Sequence, residues 1–426
     1  MDILEVKSKL VNDRYYKINH KSGLTIYVYP KEGYNSAYAI FGTKYGSINT
    51  AFSVDGGEKI TVPDGIAHYL EHKLFESEDG DAFAKYAKTG ANANAYTSFE
   101  KTCYLFSCTE KFDESLEILL DFVQKPYFTE QTVAKEQGII GQEIKMYDDS
   151  PDWRVMFNML EGMYKNHPVK IDIAGTVETI AEITAEKLYD VYNVFYNLNN
   201  MVLCVSGNVT VEQILKTADK MLKPCEKHEI VNYFEEEPYE ICKPYVEQSF
   251  PVSMPLFNLG FKEKADRRLD VNELAYTDIL LAMIGSQTSA LYRELLDANL
   301  INSSFSYEFF EGPGYCSVIF GGESRMPKQA AETIKRYISK IKTEGLSKED
   351  FEISKKAIYG DSVASLNSVS SIANAMVDYH FSSNEIFSYI EAVANANFED
   401  VSARLRAMLD VNNCTLSVIK EAENEE

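Results

Sequence analysis

Apolar and polar positions along the first half of the chain follow two different periods. Residues 24–29 and 37–45 concentrate branched and aromatic side chains over the length of a strand. Residues 94–108 are again strand-like, with Thr97, Thr102, Tyr104 and Phe106 suited to a pleated surface. The stretches 64–75, 81–88, 114–123 and 129–147 carry helical spacing instead. Asp64, directly after Pro63, is the expected N-cap of the first of these helices. Strands mixed with helices in each half predict an α+β class.

The pattern also repeats. Asn199-Asn200-Met201-Val202-Leu203-Cys204-Val205 is echoed by Asn412-Asn413-Cys414-Thr415-Leu416-Ser417-Val418, an offset of 213 residues. Tyr38-Ala39-Ile40-Phe41-Gly42 resembles Phe257-Asn258-Leu259-Gly260-Phe261, and each is followed by a polar stretch and then a helical pattern. A duplicated domain accounts for both. Between the echoes, 223–250 is rich in Glu, Pro and Lys, including Glu235-Glu236-Glu237-Pro238, and reads as an exposed connection. The expected organisation is an N-terminal domain over 1–222, a linker over 223–250 and a homologous C-terminal domain over 251–426. A chain of 426 residues is longer than one hydrophobic core accommodates, so two domains are expected on length alone.

Composition narrows the function classes. With 45% hydrophobic and 25% charged residues the chain is an ordinary globular protein. A net charge of -23 without a basic tract argues against nucleic acid and against anionic membrane surfaces. No apolar run reaches the roughly 18 residues needed to span a bilayer, and the first residues lack the signature of a secretory signal, so a cytoplasmic location is expected. Seven cysteines without C-x-x-C spacing read as reduced, mostly buried thiols.

The chemistry is concentrated in His68-Tyr69-Leu70-Glu71-His72, an inverted zinc-peptidase motif, H-x-x-E-H. On a helix, residues four apart share a face with Cβ atoms roughly 6 Å apart, so both imidazoles can converge on one ion while Glu71 projects beside them. His20, His167, His228 and His380 stand alone and are read as structural. A catalytic zinc takes three protein ligands, so a third must come from another element. Glu143 is the candidate; it follows Glu136 by seven residues and therefore shares its helix face.

With these residues in place the chain resembles the pitrilysin, insulinase and mitochondrial processing peptidase superfamily over nearly its whole length, and most closely its bacterial members that occur as paired subunits. The resemblance rests on the inverted motif, on the Glu-x6-Glu pair, on His72-Lys73-Leu74-Phe75 and on Asn94-Ala95-Tyr96-Thr97. It implies two similar domains, each a mostly antiparallel sheet packed with helices. It also implies one Zn2+ per chain, held by His68, His72 and Glu143, with Glu136 supporting the ligands from behind. Glu71 would be the general base of a zinc-dependent endopeptidase, and Asn94 and Ala95 would lie on a strand edge that pairs with the peptide substrate. Relatives carry an Arg and a Tyr in the second half, where Leu296 and Asn302 stand here, with Arg293 and Tyr307 nearby. Two readings therefore stay open. One is an active subunit whose homologous partner, in a heterodimer or homodimer, supplies the missing groups; the other is a non-catalytic structural or peptide-binding subunit.

Overall fold

The computed structural model describes residues 2–78 and 80–422. Apolar strands in the first part assemble as β1 (Asp2–Ser8), β2 (Asp13–Asn19), β3 (Thr25–Pro30), β4 (Ala37–Thr43), β5 (Asn92–Thr97), β6 (Thr102–Cys108) and β7 (Met201–Gly207). They form one sheet in the order β1-β2-β3-β7-β4-β6-β5, with β3 and β7 parallel and every other pair antiparallel. A second sheet is built from β8 (Tyr245–Phe250), β9 (Leu256–Lys262), β10 (Ser306–Gly312), β11 (Tyr315–Glu323) and β12 (Cys414–Glu421) in the order β8-β12-β9-β11-β10. There only β8 and β12 run parallel.

Apart from the β1–β2 hairpin, the two sheets share one plan. Each runs first, last, second, fourth, third in chain order, with its single parallel pair at the same end. The fold is thus α+β with two homologous domains, and the sequence echoes fall on equivalent strands. On β4 the echo is one residue out. Val202 pairs with Gly42, and its counterpart Thr415 pairs with Gly260, so ladder register equates Gly42 with Gly260.

These two glycines explain why the compact units do not follow the chain halves. One unit comprises the chain to Ile144 with Asp172–Tyr233 and Val363–Phe387; the other comprises Lys145–Ile171, Phe234–Ser362 and the chain from Ser388. A Cβ on Gly42 would meet Val377 and Phe381, on a helix drawn from the second half of the chain. A Cβ on Gly260 would meet Met159 and Met163, on a helix drawn from the first half. Each sheet is therefore covered by a helix from the other chain half, admitted closely because the strand beneath has no side chain there.

The stretch 223–250 is not a featureless linker. Its last residues form β8, and Glu237, expected on an exposed surface, is almost fully buried against Lys262 at 2.6 Å. Glu237 also accepts the backbone N–H groups of Lys165, Asn166 and His167 at 2.7–2.9 Å. Packing overrides composition here because one carboxylate satisfies four donors.

In the first unit the core joins Ile26, Val28, Ala39, Phe41, Phe106 and Leu203 of the sheet to Leu70 and Leu74 and to the helices Phe112–Val123 and Ala185–Phe195. Burial of such side chains contributes about 1.5–3 kcal/mol each. Among the described residues, edge strand β5 pairs only with β6, which leaves its other side unpaired.

Candidate metal centre and active site

Helix α1 (Ile66–Leu74) buries all but one of its nine residues. Its entry departs from expectation: Asp64 does not cap it, and the helix starts behind Gly65 in the left-handed region at φ 87° with no side-chain cap. A Cβ on Gly65 would lie 2.3 Å from the carbonyl oxygen of Ala174, so the close approach requires glycine. Ile66, Ala67, Tyr69, Leu70 and Leu74 enter the core, and His68, Glu71 and His72 are carried together on the remaining face.

Helix α2 (Glu130–Asp148) lies opposite, fixed by Val133, Ile140 and Ile144 in the core and by a hydrogen bond from the Tyr69 hydroxyl to the Val133 carbonyl. The seven-residue spacing then brings Glu136 and Glu143 to α1. His72 Nδ1 lies 3.0 Å from Glu136 Oε1, and its Nε2 lies 3.3 Å from Glu143 Oε2. His68 Nε2 is 3.8 Å from the same Glu143 oxygen, and the two imidazole rings are 4.6 Å apart at 61°. Ligand atoms of His68, His72 and Glu143 all fall within 4.8 Å of one another, a grouping found nowhere else among the described residues.

Electrostatics distinguish the two imidazoles. Burial, reinforced by the neighbouring His72, lowers the pKa of His68 to about 4, which keeps it neutral and able to donate a lone pair. Burial would lower His72 as well, but its hydrogen bonds to Glu136 and Glu143 and the nearby carboxylate charges prevail and raise it to about 10. Without a metal, the cluster therefore holds its positive charge as a proton on His72. Glu71 is pushed above the ordinary carboxylate range by burial, opposed by a hydrogen bond from Thr97 Oγ1 at 2.8 Å.

Two neutral-capable imidazoles and one carboxylate, converging from two rigid helices, are a donor set that suits zinc, and Glu136 behind His72 is the carboxylate partner such ligands characteristically have. His68 Nδ1 is buried without a hydrogen-bond partner. Asn94 and Ala95 lie on edge strand β5, where the Asn94 side-chain oxygen accepts the Ala95 N–H at 2.9 Å. Thr97, at the end of that strand, reads from sequence only as a strand residue; its contact with Glu71 spans 26 residues and has no local signature.

In the second domain Leu296 is exposed at the end of the helix Ala290–Asp297, and Arg293 is exposed on the same helix. Asn302 is engaged locally, donating to Glu323 at 2.5 Å and accepting from Ser304 N at 2.9 Å. Tyr307 is half-buried on β10 over Gly285. The remaining histidines have structural partners: His20 with Ser22 and Asp219, His167 with Val169 N and the Pro313 carbonyl, His228 with Asp55, and His380 with Tyr27. All seven cysteines are unpaired and five are buried. No helix among the described residues is long and apolar enough to cross a membrane.

A duplicated α+β chain with an inverted histidine motif facing a glutamate helix defines the class of inverted-motif metallopeptidases. Residues 49–177 match the family description "Insulinase (Peptidase family M16)" and residues 182–358 match "Peptidase M16 inactive domain"; the chain belongs to this family. It is 40% identical over 97% of its length, and 98% of the relative's, to the Bacillus subtilis (strain 168) protein named "Uncharacterized zinc protease YmfH". Over 37% of the chain and 35% of the relative it is 32% identical to "Mitochondrial-processing peptidase subunit beta" of Caenorhabditis elegans. The crystal structure of an M16-like peptidase from Alicyclobacillus acidocaldarius superposes with a TM-score of 0.91 at 32% identity, covering 99% of this chain and 98% of that one.

Proposed function

We propose that the chain is a zinc-dependent endopeptidase subunit that binds one zinc ion through His68, His72 and Glu143. The observation that carries this reading is the convergence of those three side chains beside the buried carboxylate of Glu71. Glu136 orients His72 by accepting from Nδ1, which points Nε2 toward the shared centre. When bound there, zinc supplies Lewis-acid polarisation of the scissile carbonyl and activation of water for attack. Glu71 takes the proton from the attacking water and delivers it to the leaving amine nitrogen.

The peptide is held by strand addition on β5. Ser98 N–H bonds to the Lys101 carbonyl at 2.8 Å, so alternate pairs such as Asn94 with Leu105 exchange hydrogen bonds while Ala93 and Ala95 turn their N–H and C=O groups to the open edge. The Ala95 N–H, engaged by Asn94 in the free protein, is handed to a substrate carbonyl. Main-chain pairing of this kind leaves specificity broad.

Leu296 and Asn302 offer no guanidinium or phenol for the oxyanion, which supports a homologous partner subunit that supplies them. That a relative is named as one subunit of the mitochondrial processing peptidase agrees with pairing. The unpaired cysteines agree with a reducing compartment, the cytoplasm. The same missing groups also suit a non-catalytic subunit, and one experiment separates the two. Glu71→Gln should retain zinc by metal analysis while peptide cleavage falls about 100- to 10,000-fold; Glu143→Gln should lose the metal. Undiminished cleavage by Glu71→Gln would falsify the peptidase reading.

A further inference from the structure

The carboxylate of Glu71 is not held by its own helix. Thr97 Oγ1 donates to Glu71 Oε2 at 2.8 Å, and because a carboxylate only accepts, the direction of this bond is settled. The donor stands on ground that is fixed from several sides. Thr102, fully buried, lies across the ladder from Thr97 and bonds the Tyr45 carbonyl at 2.9 Å. Ser47 N–H and Ile48 N–H reach the carbonyls of Ser98 and Phe99 at 3.0 and 3.1 Å. Gly46 permits that approach, since a Cβ there would lie 2.4 Å from the Phe99 carbonyl carbon and the Glu100 nitrogen. Lys101, in the turn after Thr97, is ion-paired with Asp378.

Building on the peptidase reading above, we propose that Thr97 is a positioning residue. It holds Oε2 of Glu71 so that Oε1 faces the reacting water, and it ties that orientation to the strand on which the peptide docks. Thr97 occupies the last position of β5, so the same backbone that aligns the substrate sets the direction of the base. A carboxylate held at one oxygen keeps one proton-accepting geometry, whereas a free one samples several rotamers.

Thr97→Val removes the donor and keeps the shape; Thr97→Ser keeps the donor. In the zinc-loaded full chain, with its partner present where cleavage requires it, Thr97→Val should lower kcat about 10- to 100-fold, the range for one charge-assisted hydrogen bond. KM should change less than about threefold and zinc content should stay at the wild-type value, because the bond bears on the base and not on ligands or substrate. Thr97→Ser should recover most of the loss. An unchanged kcat in Thr97→Val, or a loss that Thr97→Ser does not rescue, overturns the proposal. A crystal structure of Thr97→Val tests it without any activity: the Glu71 carboxylate should leave its single position, and its staying in place overturns the positioning role whether or not the wild-type chain cleaves peptides.

Discussion

His68 and His72 stand one helical turn apart, yet their surroundings give them opposite protonation. His68 is held neutral by burial, with a pKa of about 4, and His72 keeps its proton up to about 10 because Glu136 and Glu143 flank it. A metal must displace that proton, since only a neutral imidazole is a ligand. Zinc loading of the metal-free protein at pH 8 should therefore release about one proton, read by calorimetry in buffers of different ionisation heat, and zinc affinity should rise with pH. The same shift fixes a stability trend. Its folded value exceeds 6.5, so the contribution of His72 is complete below pH 6.5 and disappears as pH rises through about 10. Metal-free protein should lose urea resistance over that window. A metal-free chain equally stable at pH 6.5 and pH 10, or zinc uptake with no proton release, would remove the proton from His72.

At the scale of elements, the second sheet depends on a charge buried at the end of β9. Lys262 Nζ is bonded to Glu237, to the Met163 carbonyl and to the Glu240 carbonyl, with its side chain 3% exposed. Glu237 in turn collects the chain at Lys165–His167, so a single pair ties together β9, the segment before β8 and the turn after the helix Pro151–Met163. Breaking one side leaves an uncompensated charge in the interior. Glu237→Gln should cost about 3–5 kcal/mol in chemical unfolding, and the double variant Glu237→Gln/Lys262→Met should be less destabilised than the single one. Equal stability of Glu237→Gln and wild type would mean that Lys262 finds water or another partner there.

For the whole molecule, the decisive feature is a duplicated fold in which one copy carries a His-His-Glu group that could hold a metal and the other, among its described residues, carries none. On the proposed peptidase reading, Leu296 and Asn302, where the resemblance places an Arg and a Tyr, offer the developing oxyanion no donor. Loss of one such donor typically costs about 100- to 1000-fold in turnover. The purified chain should bind zinc but cleave slowly, and a homologous partner with an intact Arg and Tyr should restore the rate by about that factor. Replacing the partner's Arg or Tyr should abolish the gain with zinc retained. Equal rates for the isolated chain and the mixed complex would point instead to Arg293 or Tyr307.

The sequence by itself determined what is local. His68, Glu71 and His72 lie within five residues, and helical period alone places them on one face. Glu136 and Glu143 share a face for the same reason. The strand echoes are legible because a strand's apolar run survives duplication. Tertiary structure decided what depends on distant chain segments meeting. The helices Pro151–Met163 and Val369–Phe381 look like any amphipathic helices, and which sheet each covers is settled by the glycines beneath them, Gly260 and Gly42. Glu237 has the composition of a solvated linker until four donors surround it. Thr97 reads as a strand threonine until folding brings it to Glu71, because hydrogen-bond partners 26 residues apart on a helix and a strand leave no period in the sequence.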